Sequence, residues 1–126
     1  MRRLLLVSSL MLPILTAAVP RNIIIDTDAG TDDLMAIAFL LSRPDVRIEA
    51  ITVVNGLAHV PAGARNIERL LQLAGKPEIP VYEGRPTPLE GANEFPAPWR
   101  LVADELPGVG LPTNTRNPEP ASAVSY

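Results

Sequence analysis

Four carboxylates, Asp26, Asp28, Asp32 and Asp33, fall within eight residues around Gly30. Charges of one sign crowded this closely repel unless a cation or a helix N-terminus compensates, so the group suits a hard divalent metal held through oxygen. Calcium takes about 6 to 8 oxygen ligands, more than one such loop supplies, so further ligands have to come from elsewhere in a fold. Cysteine is absent, which leaves oxygen donors or the single His59 as the only metal-binding chemistry. An EF-hand is excluded by spacing, because Gly30 stands where its third oxygen ligand belongs and Ile37 where its closing glutamate belongs. The same aspartates also suit caps and turns, and for Asp26 taken alone that is the simpler role.

A loop of this kind needs rigid elements on either side. Asn22 to Asp26 is a short β-branched run without alternation, the pattern of a strand covered on both faces. Leu34, Ile37, Ala38 and Leu41 follow at helical spacing, with Thr31 or Asp32 placed to cap the start. Arg43-Pro44-Asp45 ends that helix, and Ile48 to Val54 forms a second strand running into Asn55-Gly56. A second helix is predicted from Pro61 to Ala74 and a third strand from Ile79 to Tyr82. Strand, helix, strand, helix, strand with short connections predicts an α/β fold, a Rossmann-like parallel sheet with right-handed crossovers. Ligands bind beyond the carboxyl ends of such strands, and both the aspartate loop and Asn55 fall there. Ten of the fourteen prolines lie in residues 77–126, which predicts a proline-rich irregular C-terminal wrap with one short helix around Trp99 to Leu106, Trp99 itself packing into it.

Composition narrows the partners. A net charge of -3 offers no basic field to nucleic acid. Arg2 and Arg3, the apolar run Leu4 to Leu15 and the small residues Thr16-Ala17-Ala18 read as a signal peptide over residues 1–18, with the folded part over 22–126. The apolar run is shorter than the roughly 20 residues a membrane span needs, so the expectation is a secreted or periplasmic chain without stable membrane insertion after cleavage. Loss of later strands would leave an open sheet edge, which predicts self-association as a homo-oligomer.

The stretch from Ile23 to Asp33 resembles the Asp-x-Asp-Pro-Gly-x-Asp-Asp signature of the inosine-uridine-preferring nucleoside hydrolase family, with Ala29 in place of the usual proline. Ala50 to Gly56 resembles the family's strand ending in an asparagine, one glycine short, and Arg65-Asn66, Leu71 to Gly75 and Ile79 to Gly84 continue the likeness. The resemblance implies the N-terminal part of a nucleoside hydrolase fold and cleavage of the N-glycosidic bond of ribonucleosides by a calcium-bound water. It implies that Asp28 binds Ca2+ and acts as general base, that Asp33 grips the same ion with both oxygens, and that Asp32 and Asn55 hold the ribose hydroxyls. The family takes its remaining calcium ligands, and the histidine that assists the departing base, from later in the chain. His59 does not match that acid and reads as a surface or capping residue. Two alternatives stay open at this level: a non-enzymatic secreted remnant with weak metal or sugar binding, and a haloacid-dehalogenase-type phosphatase, whose pattern, however, wants Thr or Val at Gly30 and has no use for Asp32-Asp33.

Overall fold

The computed structural model describes residues 19–113 and 116–125, so the expected signal peptide lies outside the described residues. Strands β1 (Arg21–Thr27), β2 (Val46–Val53) and β3 (Val81–Glu83) alternate with helices α1 (Thr31–Leu41) and α2 (Val60–Leu73), and α3 (Ala97–Glu105) follows. The strands pair in parallel in the order β1-β2-β3, as the alternation of elements predicts. Register runs from Arg21 beside Val46 to Thr27 beside Val53, with one irregularity between Ile23 and Ile24. The two loops that matter therefore start side by side: Val54 donates its N–H to the carbonyl of Thr27 at 2.9 Å.

One face of the sheet carries the core. Ile51, Val53 and Val81 meet Leu34 and Ile37 of α1 and Ile67, Leu70 and Leu71 of α2, with Ile23 and Ile25 packed against them. The opposite face is thinly covered: Ile24 is 59% exposed, so β1 is not covered on both faces as its unalternating run predicts, because both helices pack on one side of the sheet. β1 lies at the edge of the sheet among the described residues, while beyond β3 the Glu119 N–H donates to the Val81 carbonyl at 2.8 Å. No described helix is long and apolar enough to cross a membrane.

Three local expectations need correction. The residue at the start of α1 is Gly30, which makes no side-chain cap, so neither Thr31 nor Asp32 closes that end; both lie inside the first turn. Ala38 is exposed, and the buried stripe passes through Leu34 and Ile37 to the half-buried Leu40 and Leu41. Trp99 does not pack into the wrap; it is 61% exposed on α3, whose inward face is formed by Arg100 and Ala103.

The proline-rich segment is nonetheless fastened to α2 by polar contacts. Asn66 donates from Nδ2 to the carbonyls of Ala103 and Asp104 at 3.2 and 3.0 Å. Arg69 donates to the carbonyls of Pro112 and Leu111 at 2.8 and 3.1 Å. These bonds satisfy carbonyls of the last turn of α3 and of the irregular segment after it, which have no partner within a helix or ladder of their own.

Glu68 on α2 is buried, its Oε1 has no partner, and its Oε2 lies 4.0 Å from Arg116 Nε. Burial pushes its carboxyl above the ordinary glutamate range. A raised folded value means the fold prefers the protonated acid, so this group's contribution to stability is fully present below the unfolded pKa and is lost as the pH rises through the folded one. Glu68→Gln is predicted to raise the melting temperature near pH 7 and to lose that advantage as the pH falls towards 4. Thermal denaturation of both chains across this range checks it, and a variant less stable at pH 7 contradicts it.

Candidate functional site

The aspartate loop is laid down by the end of β1. Thr27 faces the helices and is 6% exposed; its Oγ1 donates to Asp33 Oδ2 at 2.5 Å and accepts the Ala29 N–H at 3.0 Å. One hydroxyl thus ties the strand end, the turn and the first turn of α1 together. Asp26, one residue earlier, points to the other face and accepts a hydrogen bond from Thr52 Oγ1 at 2.6 Å across to β2. The structural role that suits Asp26 alone is the one it has.

Asp28 lies off the strand end and is turned towards the loop after β2. Its Oδ2 accepts the Leu57 N–H at 2.8 Å, and its carbonyl accepts the Ala58 N–H at 3.1 Å. The two chains touch so closely that a Cβ placed on Gly56 would lie 2.3 Å from Asp28 Cβ and Oδ2. Glycine is therefore required at 56 for approach. Asn55, next in the chain, stands at the same sheet edge as Asp28, as the sequence requires for the two to share a ligand. Its Oδ1 accepts from Arg100 Nη2 at 3.1 Å.

The helices enforce this arrangement. A Cβ on Gly63 would come within 2.7 Å of Ala29 Cβ, so α2 presses directly on the aspartate turn. Ala29 is fully buried there at φ 57, a left-handed conformation that proline cannot adopt. With Ala29 in place of the signature proline, the backbone takes a path at this position that proline would forbid.

Asp32 and Asp33 follow in the first turn of α1, where the positive end of the helix dipole favours them. Asp32 is exposed and Asp33 half-buried. Asp28 and Asp33 each keep one carboxylate oxygen outside the bonds to Leu57 and Thr27. The donors are hard oxygens that fit a divalent cation such as calcium in kind. In number they fall short, because among the described residues no three His, Cys, Asp or Glu side chains gather to hold a metal ion. The four aspartates do not form one shell: Asp26 is committed to Thr52.

His59 takes the residue position before α2 without capping it through its side chain. It is bound instead to Asp104, which accepts the His59 N–H at 2.8 Å through Oδ1 and lies 2.6 Å from Nδ1 through Oδ2. A cleft of about 480 Å³ opens beside Asn55, lined also by Asp26, Thr52, Arg85, Thr87 and Leu89, though not by Asp28, Asp32 or Asp33. A larger one of about 670 Å³ lies at the opposite ends of the strands, near Arg43, Glu49 and Lys76. Position favours the smaller, since parallel sheets place ligands beyond the strands' carboxyl ends.

Thr27, Gly56, Arg100 and Asp104 carry the site and were not singled out by sequence reasoning. Thr27 alone had a signal there: its place between two aspartates at the end of a buried strand turns its hydroxyl to the helix side. Ala29 supplies a direct check. Ala29→Pro, which restores the signature residue, is predicted to destabilise the chain by more than about 1 kcal/mol, because it forbids the native φ and removes the N–H bonded to Thr27. Urea denaturation measures this, and a variant as stable as the parent refutes the backbone path described.

Comparisons with known proteins identify the relatives of this fold. The family described as inosine-uridine preferring nucleoside hydrolase matches residues 23–126. Uridine nucleosidase 1 of Arabidopsis thaliana is 36% identical over 105 residues, covering 83% of this chain and 31% of that protein. A pyrimidine-specific ribonucleoside hydrolase of Salmonella enteritidis is 35% identical over 80% of this chain and 30% of its own length. Among solved structures, a plant nucleoside hydrolase superposes with a TM-score of 0.71 at 38% identity, over 82% of this chain and 33% of that one. A purine-preferring ribonucleoside hydrolase from Gardnerella vaginalis gives 0.68 at 28% identity, over 83% and 34%. The chain spans about a third of the length of these relatives.

Proposed function

The chain belongs to the inosine-uridine preferring nucleoside hydrolase family, and from that premise we propose that it carries the cation- and ribose-binding part of an enzyme that splits ribonucleosides into ribose and base. The observation that supports this most is the seating of Asp28 against the 55–58 loop, which keeps its carboxylate at the strand ends beside the segment that carries Asn55. In this reading Asp28 and Asp33 hold Ca2+, and Asp32 and Asn55 bond the sugar hydroxyls. When bound, the cation supplies Lewis acidity that makes water easier to deprotonate. Asp28 takes the proton of the water whose oxygen bonds to the anomeric carbon, the carbon–nitrogen bond breaks, and the electron pair leaves with the base. The carboxylates beside the sugar favour the positive charge that develops on the ring. The phosphatase alternative loses its ground with the family match.

The proposal extends to incompleteness. Among the described residues no three His, Cys, Asp or Glu side chains gather around one point, so in this reading Asp28 and Asp33 supply only part of a calcium shell, binding is weak and water poorly held. A leader over residues 1–18, export to the periplasm or outside the cell, and self-association through the open edge of β1 are part of the same proposal, and rest on the sequence and on that edge. The purified chain is predicted to bind Ca2+ weakly, to lose about tenfold or more of that affinity in Asp28→Ala, and to release base from inosine or uridine very slowly or not at all. Calorimetry and a free-base assay measure both. Calcium binding unaffected by Asp28→Ala overturns the ligand assignment; rapid calcium-dependent turnover lost in that variant overturns the claim of incompleteness.

A further inference from the structure

Asn55 is not a free side chain. Arg100 Nη2 donates to its Oδ1 at 3.1 Å, and Arg100 Nη1 meets Glu94 Oε2 at 2.9 Å. Arg100 is only 4% exposed and its Nε is buried without a partner. A guanidinium withdrawn from water is costly unless its bonds compensate, and here one hydrogen-bonding position goes unsatisfied while another is spent on Asn55. Packing alone gives no reason for an arginine at this point of α3.

The contact also decides which end of the Asn55 amide is available. Guanidinium groups only donate, so the atom facing Arg100 has to be the carbonyl oxygen. The Nδ2 end, with its two hydrogens, is turned away from Arg100. An amide fixed in this sense offers a sugar hydroxyl a donor, and leaves that hydroxyl's own proton for a neighbouring carboxylate. One helical turn further, Asp104 binds His59 through both its main chain and its ring. Residues four apart share a helix face, so one face of α3 holds the segment 55–59 at both ends.

We propose that Arg100 is a positioning residue for the sugar-binding asparagine: it fixes the Asn55 amide with Nδ2 facing the ligand. The inference rests on Asn55 being the sugar ligand, and the experiment separates the two. The side-chain amide pair of Asn55 is observed by NMR in the ¹⁵N-labelled chain, assigned by its loss in Asn55→Asp, and followed during titration with D-ribose in the presence of Ca2+. In Arg100→Met the Asn55 pair is predicted to move towards free-amide shifts before sugar is added, and ribose affinity to fall about tenfold, the scale of a hydrogen bond to a charged group. Arg100→Lys, which keeps a donor without the fork, restores most of the affinity. Glu94→Gln, which removes only the half-exposed ion pair, leaves the Asn55 pair in place. Backbone resonances of β1 to β3 report the fold in each variant, and if Arg100→Met fails to fold, the contrast between Arg100→Lys and Glu94→Gln decides.

An Asn55 pair unmoved by Arg100→Met in a folded chain overturns the proposal. So does a Glu94→Gln variant that disturbs Asn55 as much as loss of the guanidinium does, since the arginine would then be a structural ion-pair partner. Ribose that leaves the Asn55 pair untouched in the parent chain overturns the sugar assignment, while the response of the unliganded pair to Arg100→Met still decides the positioning role.

Discussion

A carboxylate that accepts a backbone N–H from a different loop can fix that loop only if both chains approach within hydrogen-bond distance, and Asp28 and Leu57 meet this condition at 2.8 Å. Everything proposed for the site depends on that bond. It holds the segment after β2 against the turn after β1, and it does so with a group whose second oxygen remains for a ligand. The close approach is steric before it is electrostatic: no side chain fits at Gly56, and none fits at Gly63 where α2 bears on Ala29. Replacing either glycine forces neighbouring atoms to shift. The site is thus a product of packing density at two glycines, with the carboxylate bond as its lock.

The second layer comes from the part of the chain least promising by composition. Proline denies residues 77–126 long regular elements, yet α3 forms, and its inward side chains hold residues 55 and 59 from behind. Asn66 and Arg69 on α2 in turn hold the carbonyls of α3 and of the segment after it. The wrap is fastened by polar bonds to its backbone and by the burial of Ala103 and Leu106 in the core, while Trp99, Leu101 and Val102 remain exposed on it. Charged side chains that look like surface in the sequence, Arg69 and Arg100, are the fasteners.

The parallel sheet was legible because Ile23-Ile24-Ile25 and Ile51 to Val54 are β-branched runs bounded by turn residues, although β1 is covered on one face only. The place of the aspartate turn and of Asn55, just beyond the ends of β1 and β2, was legible because each directly follows a β-branched run. What stayed hidden depends on contacts between distant residues. Nothing in the order of residues says that Arg100 reaches Asn55 across 45 positions, or that Thr27 and not Asp32 organises the start of α1. Gly30 has no side chain to signal the start of α1, and the bulk of Trp99 does not by itself require burial. Ala29 shows the limit of motif reading: the residue that replaces the signature proline has a backbone conformation that proline cannot reach.

Hydrogen exchange at the Leu57 amide tests the central claim directly. With its N–H bonded to Asp28, Leu57 exchanges slowly for a loop residue; Asp28→Asn, which keeps an acceptor, preserves much of that protection, and Asp28→Ala abolishes it while the β2 amides stay protected. A Leu57 amide that exchanges at the rate of an open loop in the parent chain, or one indifferent to Asp28→Ala, would contradict the account.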